Sequence, residues 1–178
     1  HIKVKKGLSL NQLRVFKGNP VLSRLRDEIL SNIAPMLYYE RGVPVLSETD
    51  LLKVNLKPDK KYSSNPIAFK ANHTRRVIDL SVKNYNPGEY WNVVPATSRF
   101  SDLNMIQNEF YILRSLERML IPNDIAVTCV AYTENLGELR IHYAGFAHPN
   151  FGHFRTDKKL GAPLIFEARC HSFNVTIR

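Results

Sequence analysis

Beyond residue 34 almost every stretch of the chain reads as strand and turn, and that punctuation restricts the fold more than any other feature. "VPVLS", "IAFKA", "RVIDLSV", "EFYILRS", "DIAVTCVAYT", "ELRIHYAG", "APLIFEARC" and "SFNVTIR" are short and rich in β-branched and aromatic residues, with Gly, Pro, Asn or Asp between them. Branched and aromatic side chains suit a pleated, half-buried surface, and many such runs in succession predict an all-β sandwich, barrel or jelly roll. In "SLERMLIPND" the proline and the Asn-Asp pair favour a strand running into a turn over a helical turn.

One segment differs. "NPVLSRLRDEILSNI" opens on Asn19 and Pro20 and places Leu22, Leu25, Ile29 and Ile33 at helical spacing. Ahead of it, "KKGLSLNQLRVFKG" has a strand pattern with no partner nearby in sequence. The expected organisation is a closing strand of a preceding domain over 1–18, a linker helix over 19–34 and a β-domain over 35–178. The start "HIKVKK", without a methionine or a secretory leader, and the strand-like end "SFNVTIR" suggest a piece of a longer protein.

Composition sets the partners. With 44% apolar and 23% charged residues, the 178-residue chain has the balance of a globular domain, and no apolar run approaches the ~20 residues of a membrane helix. Cys129 and Cys170 are too few for a disulfide framework, which points to a reducing cytoplasm, although one bridge between them is compatible with the sequence. The formal charge of +9 favours an anionic partner such as a nucleotide, or else a solvated basic surface. A barrel that binds nucleic acid is disfavoured, because no RNP-like aromatic pair occurs.

The chemistry-bearing motifs thin out quickly. P-loop and dinucleotide-binding glycine fingerprints are absent, as is the P-C-x-x-C signature of zinc-dependent base deaminases. His142, His148, His153 and His171 with Glu167 would suit a transition metal by residue type. However, neither H-x-H nor H-E-x-x-H occurs to bring ligands to one face, so no metal site is expected. Cys129, within "AVTCVAY", reads as packing. Glu167 follows Leu164, Ile165 and Phe166: buried, its carboxyl would suit proton transfer, whereas strand alternation equally permits a solvent-facing or salt-bridged side chain.

"NEFYILRSLERMLIPNDIAV", "GELRIHYAGFAHPNFGHF" and "PLIFEARCHSF" resemble, in order and spacing, the dCTP deaminase and dUTPase superfamily. Phe110 to Glu117 matches its F-x-L/I-x-x-S-x-E strand, Ile121 to Asp124 its L/I-P-x-D turn, Ala144 to Phe151 its A-G-F-x-D-P-G-F/Y hairpin, and Phe166 with Glu167 its L/F-E pair. The likeness covers roughly residues 40–178 and is strongest to the C-terminal half of long, duplicated bacterial dCTP deaminases. It implies a dUTPase-like distorted β-barrel, jelly-roll-like in character, behind the N-terminal helix. It also implies hydrolytic deamination of dCTP to dUTP and ammonia without zinc, with Glu167 as general base and acid. Arg140, His142, Tyr143, Ala144, Gly145, Phe146 and Phe151 would line the nucleotide pocket, and Mg2+ would arrive with the triphosphate. Implied partners are a deoxynucleoside triphosphate, an N-terminal homologous half and further copies in a trimer-type assembly. Three departures stand out: His148 replaces the hairpin's aspartate, Asn150 replaces its glycine, and "YTENLGELR" stands where the family has its R-S-S-L-x-R phosphate motif. The last strand expected after "SFNVTIR" is also absent. These departures keep two alternatives open, a non-catalytic nucleotide-binding or assembly half and a dUTPase-type diphosphatase.

Overall fold

The computed structural model describes residues 2–10, 15, 35–45, 51–97, 102–129, 139–141, 146–153 and 160–178. Their strands are β1 (Ile2–Lys3), β2 (Leu37–Tyr38), β3 (Pro66–Ala71), β4 (Ile78–Asp79), β5 (Trp91–Pro95), β6 (Leu103–Met105), β7 (Phe110–Met119), β8 (Val127–Thr128), β9 (Leu139–Ile141), β10 (Phe146–Ala147), β11 (Ala162–Cys170) and β12 (Val175–Ile177). A 3-10 turn, Pro87–Glu89, is capped by the Asn86 side chain, which accepts from the Gly88 amide. The fold class is all-β, as the sequence predicts. The predicted linker helix over 19–34 lies outside the described residues.

β7 and β11 form the spine, and their alternation is the reason. Tyr111, Leu113 and Ser115 of β7 are buried while Phe110, Ile112 and Arg114 are half-buried. Likewise Leu164, Phe166, Ala168 and Cys170 of β11 point inward while Pro163, Glu167 and Arg169 are half-buried. Successive strand residues face opposite sides of a sheet, so each strand supplies one core-facing row and one outer row. Leu103, Met105, Ile121 and Tyr111 complete the core at 0–1% exposure. Burying an apolar side chain of this size contributes roughly 1.5–3 kcal/mol.

The main sheet runs β5-β3-β7-β11-β9, and β2 adds to the far end of β7. β12 with β6 and β10 with β8 form antiparallel ribbons, whereas β1 lies parallel to β4. Among the described residues this path is open, so the expected barrel is corrected to an open sheet with flanking ribbons. Pro95 is tolerated because β5 is the edge strand, where a missing amide breaks no ladder.

Several short elements depart from the sequence reading. "RVIDLSV" contributes only Ile78–Asp79, and "VPVLS" contributes a bridge from Pro44 to Tyr38. Leu37–Tyr38, Trp91–Pro95 and Leu103–Met105 are strands that were not expected. Pairs this short have no periodicity of their own and exist because a distant partner supplies the hydrogen bonds. Cys129 and Cys170 are both free thiols, so the possible bridge is not formed. Among the described residues no helix is long and apolar enough to cross a membrane.

Candidate active site

Glu167 sits at the centre of β11, directly opposite Ile112 of β7, which in turn stands opposite Phe69 of β3. Phe166 before it is 6% exposed and faces the core, so Glu167 turns to the outer face, where it is half-buried. Among the described residues no hydrogen bond or ion pair engages its carboxyl.

The adjacent row on the same face is aromatic and basic. Arg169 stands opposite Phe110, with its guanidinium carbon 5.7 Å from the ring centroid, and Phe110 lies 6.0 Å from the Trp91 ring. The guanidinium thus covers an aromatic face, a favourable cation–π arrangement. Next to Phe110, the Glu109 carboxyl is held below the ordinary carboxylate range chiefly by its hydrogen bond from His73 at 3.0 Å, against a smaller opposing effect of burial. Lys70, His73 and Arg169 add their positive fields. The sequence reading did not single out Arg169, Phe110 or Trp91. Alternation could have found Arg169, since two residues from Glu167 on a strand means the same face.

β9 carries Arg140 opposite Arg169 and Ile141 opposite Ala168, so the chain leaves this strand beside Glu167. His142, Tyr143, Ala144 and Gly145 come next and lie outside the described residues, and Arg140 is placed by its backbone pairing alone.

The other half of the expected hairpin goes elsewhere. Phe146, half-buried, pairs with Thr128 across β10 and β8, and Ala147 is fully buried in the core. The turn that follows is closed by the Phe151 amide donating to the His148 carbonyl at 3.0 Å and the His153 amide donating to the Asn150 carbonyl at 3.2 Å. It is fastened down by the Ile121 amide donating to the Phe151 carbonyl at 2.9 Å. Asn150 adopts φ 65°, the left-handed conformation, which asparagine tolerates better than most residues, so this departure from glycine keeps the turn. His148 donates from Nδ1 to the Pro149 carbonyl at 2.8 Å and packs edge-on against Phe151 at 6.0 Å. Phe151 itself packs against the hydrophobic core.

This turn belongs to the Met119 end of β7, which pairs with Ala162. Five residue steps along the strand separate Ala162 from Glu167, about 17 Å at ~3.4 Å per step. Within one chain the structure therefore sets Arg140 opposite Arg169, two residues from Glu167 along β11, and Phe151 at the opposite end of that strand. At that end Pro35, Tyr38, Leu120, Pro122, Asn123, Asn150 and His153 line an open depression of about 410 Å³. His171 follows β11, and its carbonyl accepts from Gln107 Nε2 at 2.9 Å. Among the described residues no group of three or more His, Cys, Asp or Glu side chains is placed to hold a metal ion.

No curated protein matches the chain by sequence. The crystal structure of 2'-deoxycytidine 5'-triphosphate deaminase from Agrobacterium tumefaciens superposes with a TM-score of 0.73 at 24% identity, covering 90% of this chain and 47% of that one. The two folds are alike, and the chain spans about half the length of that protein. The family described as 2'-deoxycytidine 5'-triphosphate deaminase (DCD), C-terminal domain, matches residues 28–178, and on that match, over most of its length, the chain belongs to this family.

Proposed function

We propose that the chain is the part of a dCTP deaminase that carries the water-activating carboxylate. Glu167 takes a proton from water as the oxygen attacks cytosine C4, then returns it to the departing amine, so that dCTP and water give dUTP and ammonia. The observation that carries this reading is the half-buried Glu167 on the outer face of β11, whose carboxyl has no hydrogen-bond or ion-pair partner among the described residues. The family match and the shared fold support it. In this reading Arg140, His142, Tyr143, Ala144 and Gly145 contribute to the nucleotide site, Arg140 from a strand paired with β11. Phe151, at the other end of β11, and Phe146, on the β10–β8 ribbon, serve a nucleotide held across a subunit boundary, which accords with a trimer-type assembly and an N-terminal homologous half. The substrate is the magnesium complex of the triphosphate. Phosphate oxygens and water supply most ligands to that cation. The enzyme acts in the cytoplasm, where the two free thiols persist.

A second reading, an assembly half without catalysis, is favoured by one feature: the 148–153 turn is fastened to the core side of its own chain. Ammonia release by full-length protein given dCTP, with and without magnesium, separates the readings. Release that depends on dCTP is expected. No release, together with dCTP affinity indifferent to substitution of Tyr143 and Glu167, would establish the assembly role. Release of diphosphate from dUTP in place of ammonia would reassign the chain as a dUTPase-type diphosphatase.

A further inference from the structure

The ladder between β7 and β11 changes register partway. Ile165 stands opposite Arg114 and Pro163 opposite Arg118, so Ser115, Leu116 and Glu117 together oppose the single residue Leu164. A bulge of this kind leaves backbone groups without ladder partners, and here the side chains of β7 satisfy them. The Leu164 amide donates to Ser115 Oγ at 2.8 Å, and the same hydroxyl donates to the Glu117 carbonyl at 2.6 Å. On the other side of β7, Glu117 Oε2 accepts the Lys53 amide at 2.8 Å, the Leu116 amide donates to the Lys53 carbonyl at 2.7 Å, and the Asn55 amide donates to the Arg114 carbonyl at 2.8 Å. Ser115 and Glu117 are each 1% exposed, so these bonds are made out of water, where an unmade one is costly.

Continuing the register of Ala162 and Pro163 without the bulge would set Glu167 opposite Arg114 instead of Ile112. The shift is two residues, about 7 Å along the strand, and it preserves the face because side chains alternate with period two. Arg114 already donates to Asp59 Oδ2 at 2.7 Å and to the Lys57 carbonyl at 2.9 Å. A carboxylate opposite that guanidinium would be paired and displaced from the end of β9.

We infer that Ser115, with Glu117, is a positioning pair: the Ser115 hydroxyl holds the bulge that keeps Glu167 opposite Ile112 and away from Arg114. The inference rests on Glu167 being the proton-transfer group, but its structural half can be tested separately.

The experiment compares Ser115→Ala with Ser115→Thr in the full-length protein, by crystal structure and by steady-state kinetics with dCTP. Ser115→Ala is expected to move Glu167 off the Ile112 row and lower kcat about 100-fold or more with KM little changed, since misplacing a proton-transfer group acts on the chemical step. Ser115→Thr keeps the hydroxyl and restores both register and kcat. An alanine variant with native register and native kcat overturns the inference and leaves the deaminase reading intact. If Ser115→Ala does not fold, the threonine variant decides: native register and rate support the hydroxyl's role, and a slipped register overturns it. If Glu167→Gln turns over normally, the deaminase reading falls, while the register measurement still decides the role of Ser115.

Discussion

Replacing Gly152 by alanine is the most severe single test of how the 148–153 turn is held, because two separate costs fall on one atom. Gly152 has φ +86°, and a Cβ built there would lie 2.2 Å from the Met119 carbonyl oxygen and 3.0 Å from the Ala162 amide nitrogen. The chain supplies its own control: Gly42 has φ +78° with nothing within 4 Å of the same virtual atom. Gly42→Ala therefore measures left-handed strain alone, about 1–2 kcal/mol. Gly152→Ala adds an overlap with backbone that no side-chain rotation relieves, so the turn or the start of β11 must move by roughly 1 Å. That places the loss at about 4 kcal/mol or more, in the range reserved for strain or clashes in a packed region. Gly161, at φ +68° with its virtual Cβ 2.8 Å from the same oxygen, falls between the two. Urea unfolding followed by circular dichroism and extrapolated linearly to water gives all three values. If Gly152→Ala were within about 1 kcal/mol of Gly42→Ala, the close approach of the turn to Met119 would not exist in solution and the reasoning would be refuted.

Two further outcomes follow from the polar groups. The Glu109 carboxyl is held below its ordinary value of 4.5, first by His73, so this pairing stabilises the fold above that pH and is lost as pH falls through the lower folded-state value. His73→Ala should therefore move the acid-unfolding midpoint to higher pH, and an unchanged midpoint would show that the pair contributes nothing. Arg118 is 7% exposed and donates from Nε to the Leu160 carbonyl at 2.8 Å and from its terminal nitrogen to the Gly161 carbonyl at 2.7 Å. Arg118→Met leaves both acceptors unsatisfied and should cost about 2–4 kcal/mol in the same urea experiment.

How much of this was legible in the sequence depends on what wrote each element. "APLIFEARC" is β11 residue for residue, because alternation against a core leaves its mark in one strand. "EFYILRS" and the strand read in "SLERMLIPND" together marked β7 to Met119, but not the burial of Glu117 and Arg118, which look like surface residues and are buried by hydrogen bonds that only the folded chain supplies. The register change opposite Leu164 is invisible for the same reason. A pattern of period two records faces, and a two-residue offset conserves faces. β6 and β5 were unread because three or five residues paired with distant strands carry little local signal. Alternation left both faces open to Glu167, and the burial of Phe166 selected the outer one. The pocket-lining expectation for Phe151 came from the resemblance; in the fold its ring packs on the core, and its end of β11 is remote from Glu167.

The account turns on whether the Glu167 carboxyl moves the proton. Full-length Glu167→Gln protein should bind dCTP, by calorimetry, within a few-fold of the unsubstituted protein while releasing ammonia at least about 100-fold more slowly, the usual contribution of a general acid–base group. Undiminished ammonia release from that variant would contradict it.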